Sequence, residues 1–268
     1  DVLGSRGLGD VYKRQIEERK ENNKTVIVRK AVERRDEASL LENTINQLDA
    51  EDCLRHINGS LYGNDYEERL FNVAMELCIT WMNRILFLKL LEAQMLKYHN
   101  GDAIYKFLSI TKIHDYDDLN TLFFQVLARD MGSRTHSIMR DFAYVPYLNS
   151  SLFEVTDLES KTIKINSLSQ RTVLPVLASS VLRNKKRNLQ VNALPTLQYL
   201  FAFLDAYNFA SEGSEEVQEE AKTLINASVL GLIFEKINGH KDGSVFTPGF
   251  ITMFTVSYTH LTLPTNSR

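Results

Sequence analysis

The chain has 268 residues, of which 44% are hydrophobic and 24% are charged, and its formal net charge is -3 at pH 7. This composition is typical of a globular protein with one large domain or two smaller ones. The acidic balance argues against a broad nucleic-acid-binding surface, because such a surface needs clustered Lys and Arg. The most apolar run, residues 78–91, is interrupted by charged residues, which excludes a transmembrane helix. Cys53 and Cys78 lack metal-ligand spacing, so we expect reduced thiols in a cytoplasmic protein.

Three helix-prone segments are predicted near the start of the chain, at residues 16–20, 25–35 and 36–48. The third is amphipathic, because its leucines and its isoleucine fall on one helical face. Glu18 and Lys20 have the acid-x-Lys spacing of metal-dependent nucleases, but no preceding strand carries a partner aspartate. We therefore interpret them as part of a solvated helix face and assign them no catalytic role.

The longest helical pattern in the chain runs from residue 64 to Tyr98. Asn64 is predicted to be its N-cap, with Glu67 reaching back from the third helical position. Apolar residues cover a broad face, and the sequence His-Asn-Gly at 99–101 ends the run. The pattern leaves open whether this segment is one helix or two.

Shorter elements are predicted in the next hundred residues. Asp115 is expected to cap a helix, and the helix dipole accounts for the acidic first turn without a bound cation. Residues 162–166 alternate polar and apolar, which predicts a short strand. The dense basic run at 183–187 is interpreted as a solvated loop, with contact to a DNA backbone as the alternative. Pro195 is expected to open a further helix.

The stretch at 226–254 predicts a buried helix, a loop and a second helix. Gly239 suits the end of the first helix, because glycine readily adopts positive φ. Thr247 is a good N-cap for the second, and Pro248 suits its first position, where no amide proton is needed. Gly249 lets another group approach the backbone, so the free amides of this helix start could bind a carboxylate or phosphate. An ordinary capped helix is the alternative.

Several ordered phrases of the sequence resemble one known family. Residues 231–235 (Gly-Leu-Ile-Phe-Glu) and 243–249 (Gly-Ser-Val-Phe-Thr-Pro-Gly) are similar to the start of an N6-adenine DNA methyltransferase domain. This domain occurs in bifunctional type IIG restriction-modification enzymes and in type I modification subunits. Residues 83–94 and 97–102 are similar to the helical spacer of the type IIG enzymes, and residues 145–154 resemble a signature that precedes the methyltransferase core.

The resemblance implies a binding site for S-adenosylmethionine. Phe246 would line the cofactor pocket, and Thr247, Pro248 and Gly249 would shape the backbone around it. The protein would transfer a methyl group to adenine N6 in double-stranded DNA, and an associated endonuclease domain would use Mg2+. No catalytic or metal-binding residue is assigned, because the chain lacks the Gly-containing strand-turn and the Pro-Pro-Tyr motif that would hold the flipped adenine.

The resemblance covers most of residues 50–255 and implies a division of the chain. Residues 16–222 are expected to be a mainly α spacer domain with one or two short strands. Residues 223–255 are expected to begin a truncated α/β methyltransferase domain. Residues 1–15 and 256–268 resemble translated adapter sequence, so the chain is expected to be an internal fragment that is inactive alone. A non-enzymatic helical interaction module is the alternative.

Three charged residues lie within the phrase at residues 83–94 that resembles the spacer. Arg84, Lys89 and Glu92 are therefore candidates for a buried or interdomain polar network. Simple surface charges are the alternative, and such charges contribute little to stability.

Overall fold

The computed structural model describes residues 16–21, 24–35, 39–148, 150–165, 168, 173–176, 180–183, 192–209 and 224–225. Over these residues the fold is mainly helical with short strands, as the sequence predicts. The helices are α1 (Leu40–Ala50), α2 (Tyr66–Tyr98), α3 (Tyr116–Thr121), α4 (His136–Phe142), α5 (Asp157–Lys161) and α6 (Thr196–Leu204). The described strands are β1 (Ile16–Glu21), β2 (Lys24–Arg29), β3 (Val173–Pro175), β4 (Ala193–Pro195), β5 (Asn208–Phe209) and β6 (Leu224–Ile225). They form three two-stranded sheets, antiparallel for β1–β2 and β3–β4 and parallel for β5–β6.

The long helix α2 lies at the centre of the fold. Its 33 residues form one continuous helix, and the ten consecutive residues 81–90 are all buried. Helix α1 packs against α2, and buried apolar side chains from α1, α2, α3 and α6 form one core. The buried part of α2 also carries charged residues, and no helix in the described ranges is long and apolar enough to cross a membrane.

The N-cap of α2 is one residue later than the sequence predicts. The Asp65 carboxylate accepts a hydrogen bond from the Glu68 amide at 2.8 Å, and the Glu68 carboxylate accepts one from the Asn64 amide at 2.8 Å. The predicted pair of Asn64 and Glu67 is therefore wrong by one position. Asn and Asp are comparable caps, and acidic residues occupy both candidate third positions, so local preference does not choose between the two registers.

The C-terminal end of α2 is at Tyr98, as the sequence predicts. Asn100 and Gly101 both have positive φ, of 54° and 80°. The Gly101 amide donates to the Leu96 carbonyl at 2.6 Å, which satisfies one of the carbonyl groups left free at a helix end.

The helices predicted at residues 16–20 and 25–35 are wrong. Both segments contribute to an antiparallel hairpin in which Ile16 lies opposite Arg29 and Glu21 lies opposite Lys24. The consecutive β-branched residues at 25–28 lose rotamer freedom in a helix and favour a strand. The Glu-Arg-Lys run that was interpreted as a solvated helix face therefore lies in strand β1.

The strand predicted at residues 162–166 is also wrong. Helix α5 ends at Lys161, and the Thr162 hydroxyl donates to the Leu158 carbonyl at 2.7 Å. Ile163 and Ile165 are buried, but neither belongs to a strand. The alternation therefore reflects the burial of two isoleucines in an irregular segment.

Helix α3 begins at the predicted cap and then changes its geometry. The Asp115 carboxylate accepts a hydrogen bond from the Asp118 amide at 2.9 Å. The chain continues from α3 into a π-helix at Leu122–Leu127, in which Phe123 is fully buried. A π-helix is rare, and here it directs consecutive aromatic residues toward α2.

Helices α1 and α6 begin where the local sequence favours a helix start, after the Ser39 N-cap and after Pro195.

The two adjacent residues at the start of α2 provide a test of the cap assignment. We predict that Asp65→Ala lowers the free energy of unfolding by about 1 kcal/mol, because the Glu68 amide loses its acceptor. The control Asn64→Ala should change it by less than about 0.5 kcal/mol, as expected for an exposed side chain outside the cap. Urea denaturation of both variants measures the difference, and the opposite ranking would place the cap at Asn64.

Candidate functional site

A buried arginine on α2 makes the most constrained polar contact in the described part of the chain. The Arg84 side chain is 0% exposed, and its two terminal nitrogens bond to the two Glu159 carboxylate oxygens at 2.5 and 2.8 Å. The guanidinium also donates to the Leu152 carbonyl at 2.7 Å and to the Glu154 carbonyl at 2.8 Å. These bonds offset the cost of removing the charge from water, and they join α2 to the segment that leads into α5.

Aromatic rings and hydrogen bonds surround this ion pair. The Arg84 guanidinium carbon lies 5.8 Å from the centre of the Phe123 ring and 5.1 Å from that of Phe124, which adds cation–π attraction. Burial works to raise the pKa of Glu159, but hydrogen bonds and charge attraction from Arg84 outweigh it and hold that pKa below its usual value. Glu159 is also the third residue of a capping box with Thr156, so its orientation is fixed from two sides.

A second cluster of charges begins five residues further along α2. The Lys89 amine contacts a Glu92 oxygen at 2.6 Å and an Asp205 oxygen at 2.5 Å. The other Asp205 oxygen contacts the Lys106 amine at 2.8 Å, and the other Glu92 oxygen accepts the Leu108 amide at 2.6 Å. Two lysines and two carboxylates therefore balance one another, and the cluster joins α2 to the following loop and to the end of α6.

In the second cluster, burial and the neighbouring charges shift the pKa values in opposite directions. Desolvation raises the pKa of Glu92, because it outweighs the attraction of Lys89 and the Leu108 amide. Burial also opposes the ionised form of Asp205, but Lys89 and Lys106 hold the pKa of Asp205 below its usual value. Burial works against the charge of Lys89, yet Glu92 and Asp205 raise its pKa. The neighbours therefore favour the ionised forms of Lys89 and Asp205, whereas burial works against the charge of Glu92.

The prediction of a buried polar network at Arg84, Lys89 and Glu92 is confirmed, and the alternative of simple surface charges is wrong. The partners Glu159, Asp205 and Lys106 are not among the residues predicted from the sequence. Asp205 did carry a signal: it is the C-cap of α6, where a negative charge is opposed by the helix dipole. An acid at such a position favours a nearby cation.

The residues predicted to contact S-adenosylmethionine, namely Phe246, Thr247, Pro248 and Gly249, lie outside the described residues. Their role stays a prediction. The same holds for the basic run, of which the structure describes only Arg183, at the end of a 3-10 helix.

Both cysteines of the chain lie in the described part of the fold. Cys53 and Cys78 are free, buried thiols, and burial raises the pKa of Cys78 to about 12, so Cys78 is a poor nucleophile at neutral pH. No group of three or more His, Cys, Asp or Glu within the described ranges is placed to hold a metal ion. The network on α2 joins α2 to the segment before α5, to the loop that follows α2 and to the end of α6.

These features define a mainly helical protein whose central helix is held to its neighbours by buried ion pairs. The family model described as "Domain of unknown function (DUF7814)" matches residues 12–225, and the chain belongs to this family. Searches of curated proteins and of solved structures found no match.

The energetic importance of the first ion pair can be measured directly. We predict that Arg84→Met lowers the free energy of unfolding by about 3–5 kcal/mol, because Glu159 is left as an uncompensated buried charge. Arg84→Lys should lose less, since it keeps the charge but not the two-pronged geometry. The control Arg140→Met removes an exposed pair with Asp141 and should leave stability unchanged. Equal effects of the two methionine variants in urea denaturation would contradict the prediction.

The same pair should give a characteristic dependence of stability on pH. The folded-state pKa of Glu159 is below its usual value of 4.5, so the stability it contributes is complete above that value and is lost as pH falls through the folded pKa. The stability difference between the wild type and Glu159→Gln should therefore be constant from about pH 7 to about pH 5.5 and shrink at lower pH. Urea denaturation at several pH values tests this, and a pH-independent difference would contradict it.

Proposed function

We propose that the described helical body is the spacer of a type IIG-like restriction-modification protein in the cytoplasm. Residues 223–255 would then begin the S-adenosylmethionine-dependent domain that methylates adenine N6 in double-stranded DNA. Phe246, Thr247, Pro248 and Gly249 remain the proposed cofactor contacts, and an endonuclease domain of the same protein would use Mg2+. In this proposal the helical body, residues 16–222, holds the other domains in place and takes no part in the reaction.

One observation supports the resemblance on which this proposal rests. Arg84 lies in one of the phrases similar to the spacer, and it donates hydrogen bonds to carbonyl groups of Leu152 and Glu154, which lie in another phrase. The contacting residues are 68 and 70 positions apart in the sequence, yet they meet in the interior. The proposal expects the phrases that resemble the spacer to belong to one packed unit, and this contact agrees with that expectation.

The ion pairs also give the helical body a property that a spacer needs. A spacer must hold its neighbouring domains in one arrangement, and a packing that separated Arg84 from Glu159 would leave a buried charge without a partner. We interpret the network as a device that selects one arrangement of α2 and the segments around it. Such a role requires no bound metal ion, and the described residues contain no metal-binding cluster.

The proposal is tested with the protein encoded by the gene in its genomic setting. We expect the reading frame after Phe254 to contain a Gly-containing strand-turn and a Pro-Pro-Tyr motif. The purified protein should transfer labelled methyl groups from S-adenosylmethionine to adenine in duplex DNA. Phe246→Ala should raise the KM for S-adenosylmethionine roughly tenfold, which corresponds to about 1.4 kcal/mol of lost binding.

Tyr66→Ala is the matched control, because Tyr66 is an exposed aromatic residue on the helical body. Its KM should equal that of the wild type. A frame without these motifs, together with a protein that transfers no methyl group, would overturn the proposal and favour a non-enzymatic helical interaction module.

A further inference from the structure

The last residue of α2 presents an aromatic ring to solvent. Tyr98 is 82% exposed, the highest value among the large hydrophobic side chains in the described part of the chain. A single exposed ring is common on protein surfaces and needs no explanation. This ring, however, is the outer member of a series of aromatic contacts that continues into two other segments of the chain.

Four aromatic rings follow one another from the end of α2 to the segment after α4. The Tyr98 ring meets the His99 ring edge to face at 5.0 Å, and the His99 ring stacks on Tyr105 at 3.7 Å with 6° between their planes. The Tyr105 ring meets the Tyr144 ring edge to face at 6.1 Å. We use the name aromatic row for Tyr98, His99, Tyr105 and Tyr144. These contacts fix the row in advance, so a ligand that stacks on it has little ordering to impose.

A lysine amine lies at the inner end of the aromatic row. The Lys112 Nζ atom is 4.6 Å from the centre of the Tyr144 ring, and it donates a hydrogen bond to the Ile104 carbonyl. Lys112 forms no ion pair with a carboxylate of the described residues. Burial lowers the pKa of Lys112, although Glu92 and Asp102 attract its charge from further away. The amine is therefore a cation whose direct contacts are with neutral groups.

The segment that carries most of the aromatic row is positively charged within an acidic chain. Residues 97–112 contain three lysines and one aspartate, which gives a local charge of +2, whereas the whole chain has a net charge of -3. Lys106 is already paired with Asp205. An excess of positive charge remains when that pair is set aside. The aromatic row therefore attracts an anionic partner.

A ligand that matches both parts of this surface has flat apolar rings and negative charges. Unpaired nucleobases stack on aromatic side chains, and the phosphates between them pair with lysine amines. In a duplex the faces of the bases are covered by neighbouring base pairs, so an exposed tyrosine cannot stack on them. A proline-rich peptide also docks on tyrosine rings, but it would leave Lys112 without a counter-charge.

We propose that the aromatic row binds single-stranded nucleic acid, with a base stacked on Tyr98 and a phosphate held by Lys112. Such a site recognises the faces of the bases, so it tolerates many sequences. Few cations are present, so we expect a Kd between about 1 and 100 µM and a clear dependence on salt. The site requires neither S-adenosylmethionine nor methyl transfer, and it does not rest on the proposed function.

Fluorescence anisotropy of a labelled oligothymidine tests the site on the full chain. Tyr98→Ala should raise the Kd about tenfold, because the base loses the ring on which it stacks. Tyr98→Phe should leave the Kd within about twofold of the wild type, since it keeps that ring. The matched control Tyr66→Ala removes an exposed tyrosine at the other end of α2 and should leave the Kd unchanged.

A charge variant tests the phosphate contact separately. Lys112→Gln should raise the Kd about threefold at low salt and reduce the slope of log Kd against log salt by about 0.7, as expected for one phosphate of a single strand. The control Lys161→Gln removes an exposed pair with Asp157 and should leave the Kd and the slope unchanged.

Cross-linking keeps the test decisive if a variant folds poorly. A strand substituted with 5-iodouracil, irradiated with the wild-type protein, should give an adduct that mass spectrometry maps to the aromatic row. An adduct elsewhere, no binding at about 100 µM protein, or tighter binding of a duplex of the same length would overturn the proposal. A proline-rich peptide that binds where the strand does not, or self-association abolished by Tyr98→Ala, would also overturn it. None of these measurements involves methyl transfer, so this proposal and the proposed function fail independently.

Discussion

The fold depends on a charge that has no access to water. Arg84 is completely buried in the middle of α2, and it can remain there only while Glu159 and the carbonyl groups of Leu152 and Glu154 stay in place. Removing a charged group from water costs several kcal/mol, and only a complete set of partners offsets that cost. Apolar packing tolerates small shifts, whereas this ion pair does not. The buried arginine therefore selects one relative position of α2, the π-helix and the segment before α5.

Local signals in the sequence predict the helices well and the pairing of distant residues poorly. The limits of α2 follow from an acidic cap and from a glycine with positive φ, because both act over a few residues. The hairpin β1–β2 was mistaken for helices, since its charged residues hid the β-branched run that favours a strand. The contact between Arg84 and Glu159 joins positions 75 residues apart, and no local pattern encodes such a distance.

The candidate site was only partly predictable from the sequence, because local patterns do not encode distant pairings. Arg84, Lys89 and Glu92 are candidates for a polar network because their phrase resembles the spacer, and their burial explains why they need partners. Their partners could not be chosen from the sequence: Glu159 also fits a capping box, which already explains its presence. Membership in the DUF7814 family covers the same helical region but brings no chemistry with it. The proposed cofactor contacts therefore rest on the resemblance of residues 231–235 and 243–249.

The two ionic contacts of α2 differ in how far their charged side chains are exposed to water. Arg84 and Lys89 are five positions apart, so their side chains leave the helix in directions about 140° apart. On one side, a pair with almost no exposure ties α2 to α5. On the other side, the outer pair of Asp205 and Lys106 is partly hydrated already, which lowers the cost of separating it. Helix α2 is therefore tied to α5 by a dry ion pair and to the end of α6 by a partly hydrated one, and both neighbours also share its apolar core.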